Sequence, residues 1–300
     1  VETPFISNLA RGKATAVFEE WLTDSLADAA ANRQVEGDSI SGTSAGATTR
    51  LGNYNQISWK TVTVSRTQEK VQKAGSKSTV ARLLAKAGKE LKRDMEFTLT
   101  RNQASSAGGS ATARSLASVE SWLATNKTSV GPADAGKTTP GFSSGTVAAP
   151  TDGSSNGTFS EVSLKQVLQL CWTAGGEPKT VMTGAFNKTR ASKFAGIATI
   201  YRETTGSKQA TVVGAADVYI SDFGEVRIVP NRFSRDQTVL VLDMDYWELR
   251  VLRPMETYDL SVTGSAFNKV IETEYTLVSR NEKASGKVTE CLTSGTFVSG

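Results

Sequence analysis

Apolar residues recur along this chain with two different periods, and the change of period divides it into helical and extended stretches. Val80, Leu83, Leu84, Ala87, Leu91 and Met95 fall on one face at about 100° per residue and predict a helix over residues 79 to 101. Ser78 stands where an N-cap belongs, and at about 1.5 Å per residue the rod is on the order of 30 Å long. Arg82, Lys86, Lys89 and Arg93 form a stripe roughly opposite its apolar face. A second helix is predicted over residues 113 to 125 from Leu116, Val119, Glu120 and Leu123. A third covers 159 to 174, with Val162, Val167, Leu168, Leu170 and Cys171 on its apolar side and Gly175-Gly176 at its end. A short helix fits residues 187 to 194.

Alternation with period two marks residues 14 to 23, where Ala14, Ala16 and Phe18 oppose Thr15, Val17 and Glu19. It returns at 57 to 65, with Ile57, Trp59, Thr61 and Thr63 facing one way and Ser58, Lys60, Val62 and Val64 the other. The residues between, 24 to 55, are rich in Ala, Gly, Ser and Thr and carry no core pattern. Strand, long loop, strand describes a projecting β-hairpin, and a structureless loop of about 30 residues usually serves a partner or a function. Residues 126 to 158, dominated by Gly, Ser, Thr, Ala and Pro, read as a surface insertion. A strand follows at 180 to 184. From residue 210 onward the pattern is β, with strands at 217 to 221, 225 to 229, 238 to 242, 246 to 252 and 269 to 279. With no βαβ alternation and no internal repeat, the fold class is α+β with a mixed or antiparallel sheet.

Composition narrows the function. The 300 residues, 38% hydrophobic and 21% charged, suit one elaborate domain or two modest ones. No apolar run reaches the roughly 18 residues of a membrane span, and no secretory leader is evident, so neither membrane nor export is expected. The sequence begins at Val1 and not at Met, and the start is read as incomplete. Cys171 and Cys291 lie far apart without Cys or His neighbours, so free thiols are expected and no metal site. The chain contains no histidine, which removes His-based triads, most zinc sites and many general-base schemes. The net charge of +4 is uneven: residues 60 to 102 hold eleven Lys or Arg against four acids, a local +7 suited to nucleic acid or to an acidic patch on a neighbouring subunit.

Several short motifs invite enzymatic readings that their context rejects. Gly131-Pro-Ala-Asp-Ala-Gly136-Lys137-Thr138 matches a phosphate-binding loop, but no buried strand precedes it and Pro140 blocks the helix that should follow. Gly42-Thr-Ser44-Ala-Gly46 matches a nucleophile elbow in a chain without a histidine base. Asp243 and Asp245 are spaced like a paired-carboxylate or hard-cation site, yet a solvated strand edge or pairing with Arg250 and Arg253 is the better account. Asn126, Asn156 and Asn187 begin glycosylation-type triplets that mean little without export. No catalytic, cofactor-binding or metal residue is assigned. The stripe Arg82, Lys86, Lys89 and Arg93 is a candidate face for DNA or a neighbouring subunit, against the plain alternative of a solvated helix surface.

Segments in a fixed order carry a resemblance. They are Glu2-Thr-Pro-Phe5, Arg11-Gly-Lys-Ala14, Glu20-Trp-Leu-Thr-Asp-Ser-Leu26, Arg50-Leu-Gly-Asn-Tyr-Asn-Gln56, Lys89-Glu-Leu-Lys-Arg-Asp-Met-Glu96 and Glu120-Ser-Trp-Leu-Ala-Thr-Asn126. Phe186-Asn-Lys, Asp222-Phe-Gly, Ile228-Val-Pro-Asn231 and Arg253-Pro254 continue it. Together they resemble the major head proteins of tailed bacteriophages with the Hong Kong 97-type capsid fold, over nearly the whole chain and least in residues 127 to 158. The resemblance implies an N-terminal arm with the first E-loop strand at 1–32 and the E-loop at 33–76. It implies a P domain with a long spine helix from 77–104, 210–235 and 265–292, and an A domain from 105–209 and 236–264. The missing start would then be a trimmed arm.

By the same resemblance the chain is a structural subunit and not an enzyme, without cofactors, and its main partner is itself, in hexamers and pentamers closing an icosahedral shell. Packaged double-stranded DNA, a portal, and decoration or scaffold proteins are the other implied partners, in a virion assembled in the host cytoplasm. Arg50, Tyr54 and Trp59 are candidate E-loop contacts. Three alternatives stay open: the shell of a cellular nanocompartment with the same fold, a DNA-binding module built on the basic helix, and a nucleotide hydrolase using Lys137.

Overall fold

The computed structural model describes residues 2–27, 29–37, 39, 42, 46–71, 78–131, 141–153, 155–194, 218–261 and 264–295. An N-terminal turn, α1 (Pro4–Asn8), leads through β1 (Ala10–Lys13), β2 (Phe18–Thr23), β3 (Thr49–Tyr54) and β4 (Gln56–Ser65) to α2 (Arg66–Lys70) and the long α3 (Thr79–Thr100). The middle of the chain holds α4 (Val119–Trp122), β5 (Lys127–Ser129), β6 (Gly141–Ser143) and β7 (Thr146–Ala148). After α5 (Glu161–Thr173), β8 (Thr180–Thr183) and α6 (Ala185–Ala191) come β9 (Val218–Ser221), β10 (Gly224–Pro230) and β11 (Val239–Leu242). The last strands are β12 (Trp247–Asp259), β13 (Ala266–Ser279) and β14 (Gly286–Thr289).

The long helix forms where its periodicity predicts. Ser78 Oγ accepts from Ala81 N at 3.2 Å, and the Glu69 carboxylate accepts from Ser78 Oγ at 2.6 Å and Thr79 N at 3.0 Å, so donors of the first turn are satisfied. Ala87, Leu91, Met95 and Leu99 are buried. Ala87 and Leu91 pack with Val62 and Val64 of β4 and Ile271 of β13. Met95 and Leu99 enter a larger cluster with Trp122, Trp247 and Tyr275.

Two sheets organise the rest. β1, β12, β13 and β4 lie side by side in that order, with β1 parallel to β12 and the other pairings antiparallel. The second sheet has the order β5-β14-β11-β8-β10-β9 and mixes parallel and antiparallel pairs. Leu164, Val167, Leu168 and Cys171 of α5 join the core of this second sheet with Val181, Val226, Ile228, Val239 and Val241. A reciprocal Ser160/Ser163 capping box starts α5, and Gly175, at φ +85°, ends it. Val162 and Leu170, expected on the apolar side of this helix, are 65% and 41% exposed.

Tertiary hydrogen bonds overrule local pattern in several places. Within 113 to 125 only Val119–Trp122 is helical, because side chains capture the preceding backbone: Asn53 Oδ1 accepts from Ala117 N at 2.9 Å, and Gln103 Nε2 donates to Leu116 O at 2.8 Å. The predicted strand 14 to 23 begins only at Phe18, since the Glu19 carboxylate takes the Thr15 N–H at 2.9 Å and bends the chain there. Its partner is β3 and not residues 57 to 65, which pair instead with β13. The alternation of β4 holds, with Val62 and Val64 buried and Ile57 and Trp59 exposed.

The insertion at 126 to 158 contributes β5, β6, β7 and the fully buried Val147. Asp243 neither lies on a solvated edge nor pairs with Arg250 or Arg253. It is 7% exposed and caps the tight turn at Met244–Tyr246. Sheet membership also departs from the expected segments, for β12 lies beside β13 in the four-stranded sheet while β10 and β14 lie in the six-stranded one. Hydrogen-bond partners remote in sequence decide that assignment. Residues 195 to 217, 43 to 45 and 132 to 138, which include Ser44 and Lys137, lie outside the described residues.

The N-terminal turn is locked by one buried carboxylate. Glu96, fully buried on α3, accepts from Phe5 N at 2.7 Å, Ile6 N at 2.9 Å and Asn231 Nδ2 at 2.7 Å. Burial holds its carboxyl above the ordinary value of 4.5 against the pull of these three bonds. Glu96→Ala is expected to destabilise the subunit by about 3 kcal/mol or more, because each buried donor left without an acceptor costs about 1–3 kcal/mol. Urea unfolding measures this, and Glu96→Gln, which sets an amide NH2 against one of those donors, should recover only part of the loss.

Candidate functional site

No three His, Cys, Asp or Glu side chains among the described residues gather closely enough to hold a metal ion, and no described helix is long and apolar enough to cross a membrane. What the molecule presents is a set of surfaces that it does not itself cover.

The first is the hairpin of β2 and β3. Its base is anchored from several directions: Arg250 Nη1 lies 2.6 Å from Glu19 Oε1, Trp21 Nε1 donates to Ser279 O at 2.9 Å, and Asn53 Nδ2 donates to Leu277 O at 2.8 Å. Between the strands, every described residue from 24 to 48 is exposed, with Leu26 at 98% and Val35 at 75%. Arg50 pairs with Glu20 across the hairpin, and Tyr54 packs on Phe18 with ring centroids 4.6 Å apart. Trp59, 59% exposed, stands on β4 opposite Glu272, in another sheet. Arg50 and Tyr54 thus belong to the hairpin and Trp59 does not.

The anchoring acids respond to pH. Burial pushes the carboxyls of Glu19 and Glu248 up, but hydrogen bonds from Thr15 N and Arg250 to Glu19, and from Arg280 and Arg250 to Glu248, outweigh it and hold both below 4.5. A carboxyl lowered on folding stabilises above its unfolded pKa, and that contribution disappears as the pH falls through the lowered value. Arg250→Met should therefore show a shallower loss of thermal stability below pH 4.5 than the parent, in melting curves taken across that range. Gly12 sits against this cluster, where a Cβ would lie 1.9 Å from Glu248 Oε1, so a side chain there would push the Glu248 carboxylate out of its present position.

The second surface is the outer face of α3. Lys86 lies 3.5 Å from Glu90, and Arg93 lies 3.4 Å from Glu2 and stacks 5.5 Å over the Phe233 ring. Arg82 and Lys89 are exposed and without an ion pair among the described residues. The four side chains share one face, as their spacing predicts, with part of the charge balanced within the subunit.

A third surface was not legible as such. Trp172 at 57% exposure packs on Phe223 with centroids 5.7 Å apart, and Ile220, 47% exposed, lies on the same hairpin as Phe223. Nothing in the sequence paired Phe223 with Trp172 at the end of α5.

Comparison with known proteins gives these surfaces their context. Residues 1–291 match the family model of the SU10 major capsid protein. The chain is 26% identical over 324 residues to the major capsid protein of Escherichia phage Phieco32, covering 95% of this chain and 89% of that one. In structure it is similar to the capsid subunit of cyanophage A-1(L), with a TM-score of 0.63 at 11% identity over 97% of this chain and 93% of the other. It is also similar to the SrpI encapsulin of Synechococcus elongatus, with a TM-score of 0.54 at 9% identity over 97% and 88%. The fold is the α+β Hong Kong 97-type capsid fold. With the family model covering nearly the whole sequence, the chain belongs to the SU10 major capsid protein family and is a structural shell subunit of a phage virion.

Proposed function

We propose that the chain assembles into hexamers and pentamers that close into an icosahedral head around double-stranded phage DNA, without enzymatic turnover. The β2–β3 hairpin acts as the E-loop, α3 with the four-stranded sheet as the peripheral domain, and the six-stranded sheet with α5 as the axial domain. The observation that carries this reading is the hairpin: a base held by buried side chains, and a tip whose described residues are all exposed. A lever of this kind gains its stability by lying on a neighbour. Portal, scaffold and decoration proteins are its expected further partners, and assembly takes place in the host cytoplasm. Electron microscopy of the expressed full chain tests the reading: closed shells, tubes or capsomers support it, and a compact monomer at high protein concentration overturns it.

A nanocompartment shell is the second reading, favoured by the likeness in fold to an encapsulin. Purified particles rich in nucleic acid support the phage head, and particles loaded with cargo enzyme support the compartment. Reversing Lys86 and Lys89 to glutamate should leave subunit stability within about 0.5 kcal/mol, since both side chains are exposed, while shifting the salt dependence of shell stability. Thermal unfolding of the subunit beside particle yield at graded salt checks both halves.

A further inference from the structure

An open cleft of about 440 Å³ lies between the end of α3 and the turn that follows β10. Three arginines line it, and Asp236 is the only acid among its described lining residues. Arg235 is committed elsewhere, to Glu120 at 3.0 Å and Asp152 at 2.6 Å. The other two guanidinium groups have no carboxylate partner among the described residues. Arg101 donates through Nε to Phe233 O at 3.1 Å and lies 4.3 Å over the Phe97 ring, which holds it in place without neutralising it. Arg232 is exposed and makes no ion pair. Asp236 Oδ1 lies 1.7 Å from where a Cβ on Gly184 would stand, so its carboxylate rests against that backbone. Ser234 lines the same cleft at 5% exposure, with its Oγ buried beneath the surface and without a hydrogen-bond partner among the described residues.

Two guanidinium groups without a carboxylate partner among the described residues, set against the single carboxylate of Asp236 in the same polar cleft, favour an anion with several acceptor oxygens. A phosphate group can accept from both guanidinium forks at once, whereas the two oxygens of a carboxylate are taken up by one fork. The basic face of α3 leads to this place, since Arg93 stacks on Phe233 and Arg232 is the next residue back along the chain. We infer that the cleft is a phosphate-binding site in which Arg101 and Arg232 donate to one phosphate group, from a nucleic-acid backbone or free in solution. The nucleic-acid source rests on the DNA-enclosing reading above; the site itself does not.

Capsomers of the full chain are titrated with inorganic phosphate against chloride at equal ionic strength, and with a short DNA duplex, using Arg232→Glu and Ser234→Ala beside the parent. Phosphate should raise the melting temperature of the parent beyond the chloride control, as much for Ser234→Ala, whose hydroxyl is buried away from the ligand, and not at all for Arg232→Glu. If the source is a nucleic-acid backbone, the duplex should compete for phosphate, and Arg232→Glu should lower the salt slope of duplex binding by about 1. Phosphate binding without competition from DNA keeps the site and assigns it to the free anion. No phosphate effect beyond chloride, or an effect that Arg232→Glu leaves intact, overturns the proposal. Defective assembly of Arg232→Glu without phosphate or DNA binding by the parent also overturns it, and gives the cleft to an acidic segment of a neighbouring copy. Shell formation by the parent is scored separately, so failure of the capsid reading is distinguishable from failure of the site.

Discussion

Leu91→Ala is expected to lower the unfolding free energy of the subunit by about 2–5 kcal/mol. Leu91 is 1% exposed and packs in the cluster formed by Val62, Val64, Ala87 and Ile271. Two of the walls of that cluster are β4 and β13, hydrogen-bonded to each other over ten residue pairs, so the backbone around the void has little freedom to close on it. The loss therefore combines transfer energy with a residual cavity, and it is a large fraction of the roughly 5–15 kcal/mol that holds a domain folded. Urea unfolding monitored by tryptophan fluorescence measures it, and particle yield should fall with it. A loss under about 1 kcal/mol would show that the helix settles into the gap. The contrast with the charge reversal at Lys86 and Lys89, on the opposite face of the same helix, separates folding from assembly.

Excising residues 25 to 47 and joining Asp24 to Thr48 through Asn-Gly is expected to leave a folded subunit and abolish closed shells. Thr23 pairs with Thr49, so a two-residue turn after Asp24 closes the ladder in register. Every described residue of the excised segment is exposed, and the core loses nothing when it goes. A wider excision, residues 33 to 56, would remove β3 with Asn53, which is fully buried between Ala117 and Leu277, and should unfold the chain. Circular dichroism and melting temperature report the fold, and electron microscopy reports assembly. Normal shells from the shortened chain would show that the tip takes no part in assembly, and an unfolded product would show that it supports the subunit core.

Both outcomes depend on distinctions that the sequence shows unequally. Residues 79 to 101 and 159 to 174 carry helical periodicity, caps and terminators that all agree, and the helices α3 and α5 form there within a residue or two. The exposed excursion after residue 24 is legible because its composition holds almost nothing to bury. The strand partners are not legible. The stretch from Arg50 to Asn53 has no alternation that would announce a strand, and it becomes one because Asn53 bridges two remote segments and Phe18 packs on Tyr54. Helical spacing at 113 to 125 fails for the same reason, with Gln103 and Asn53 offering the backbone better partners than its own turn.

The sequence by itself determined the two long helices, the absence of histidine chemistry, the one-sided charge of α3, the exposed excursion after residue 24 and, through the order of its segments, the family. Tertiary structure alone decided which strands share a sheet, that Glu96 holds the N-terminal turn, that Asp243 caps a turn, and that Arg101 and Arg232 line one cleft. The physical reason is the range of the interactions. Periodicity and capping act within a few residues and leave their mark on local sequence, whereas a buried carboxylate depends on groups 91 positions away, as Glu96 does on Phe5, or 231, as Glu19 does on Arg250, and neither residue's neighbours record the other.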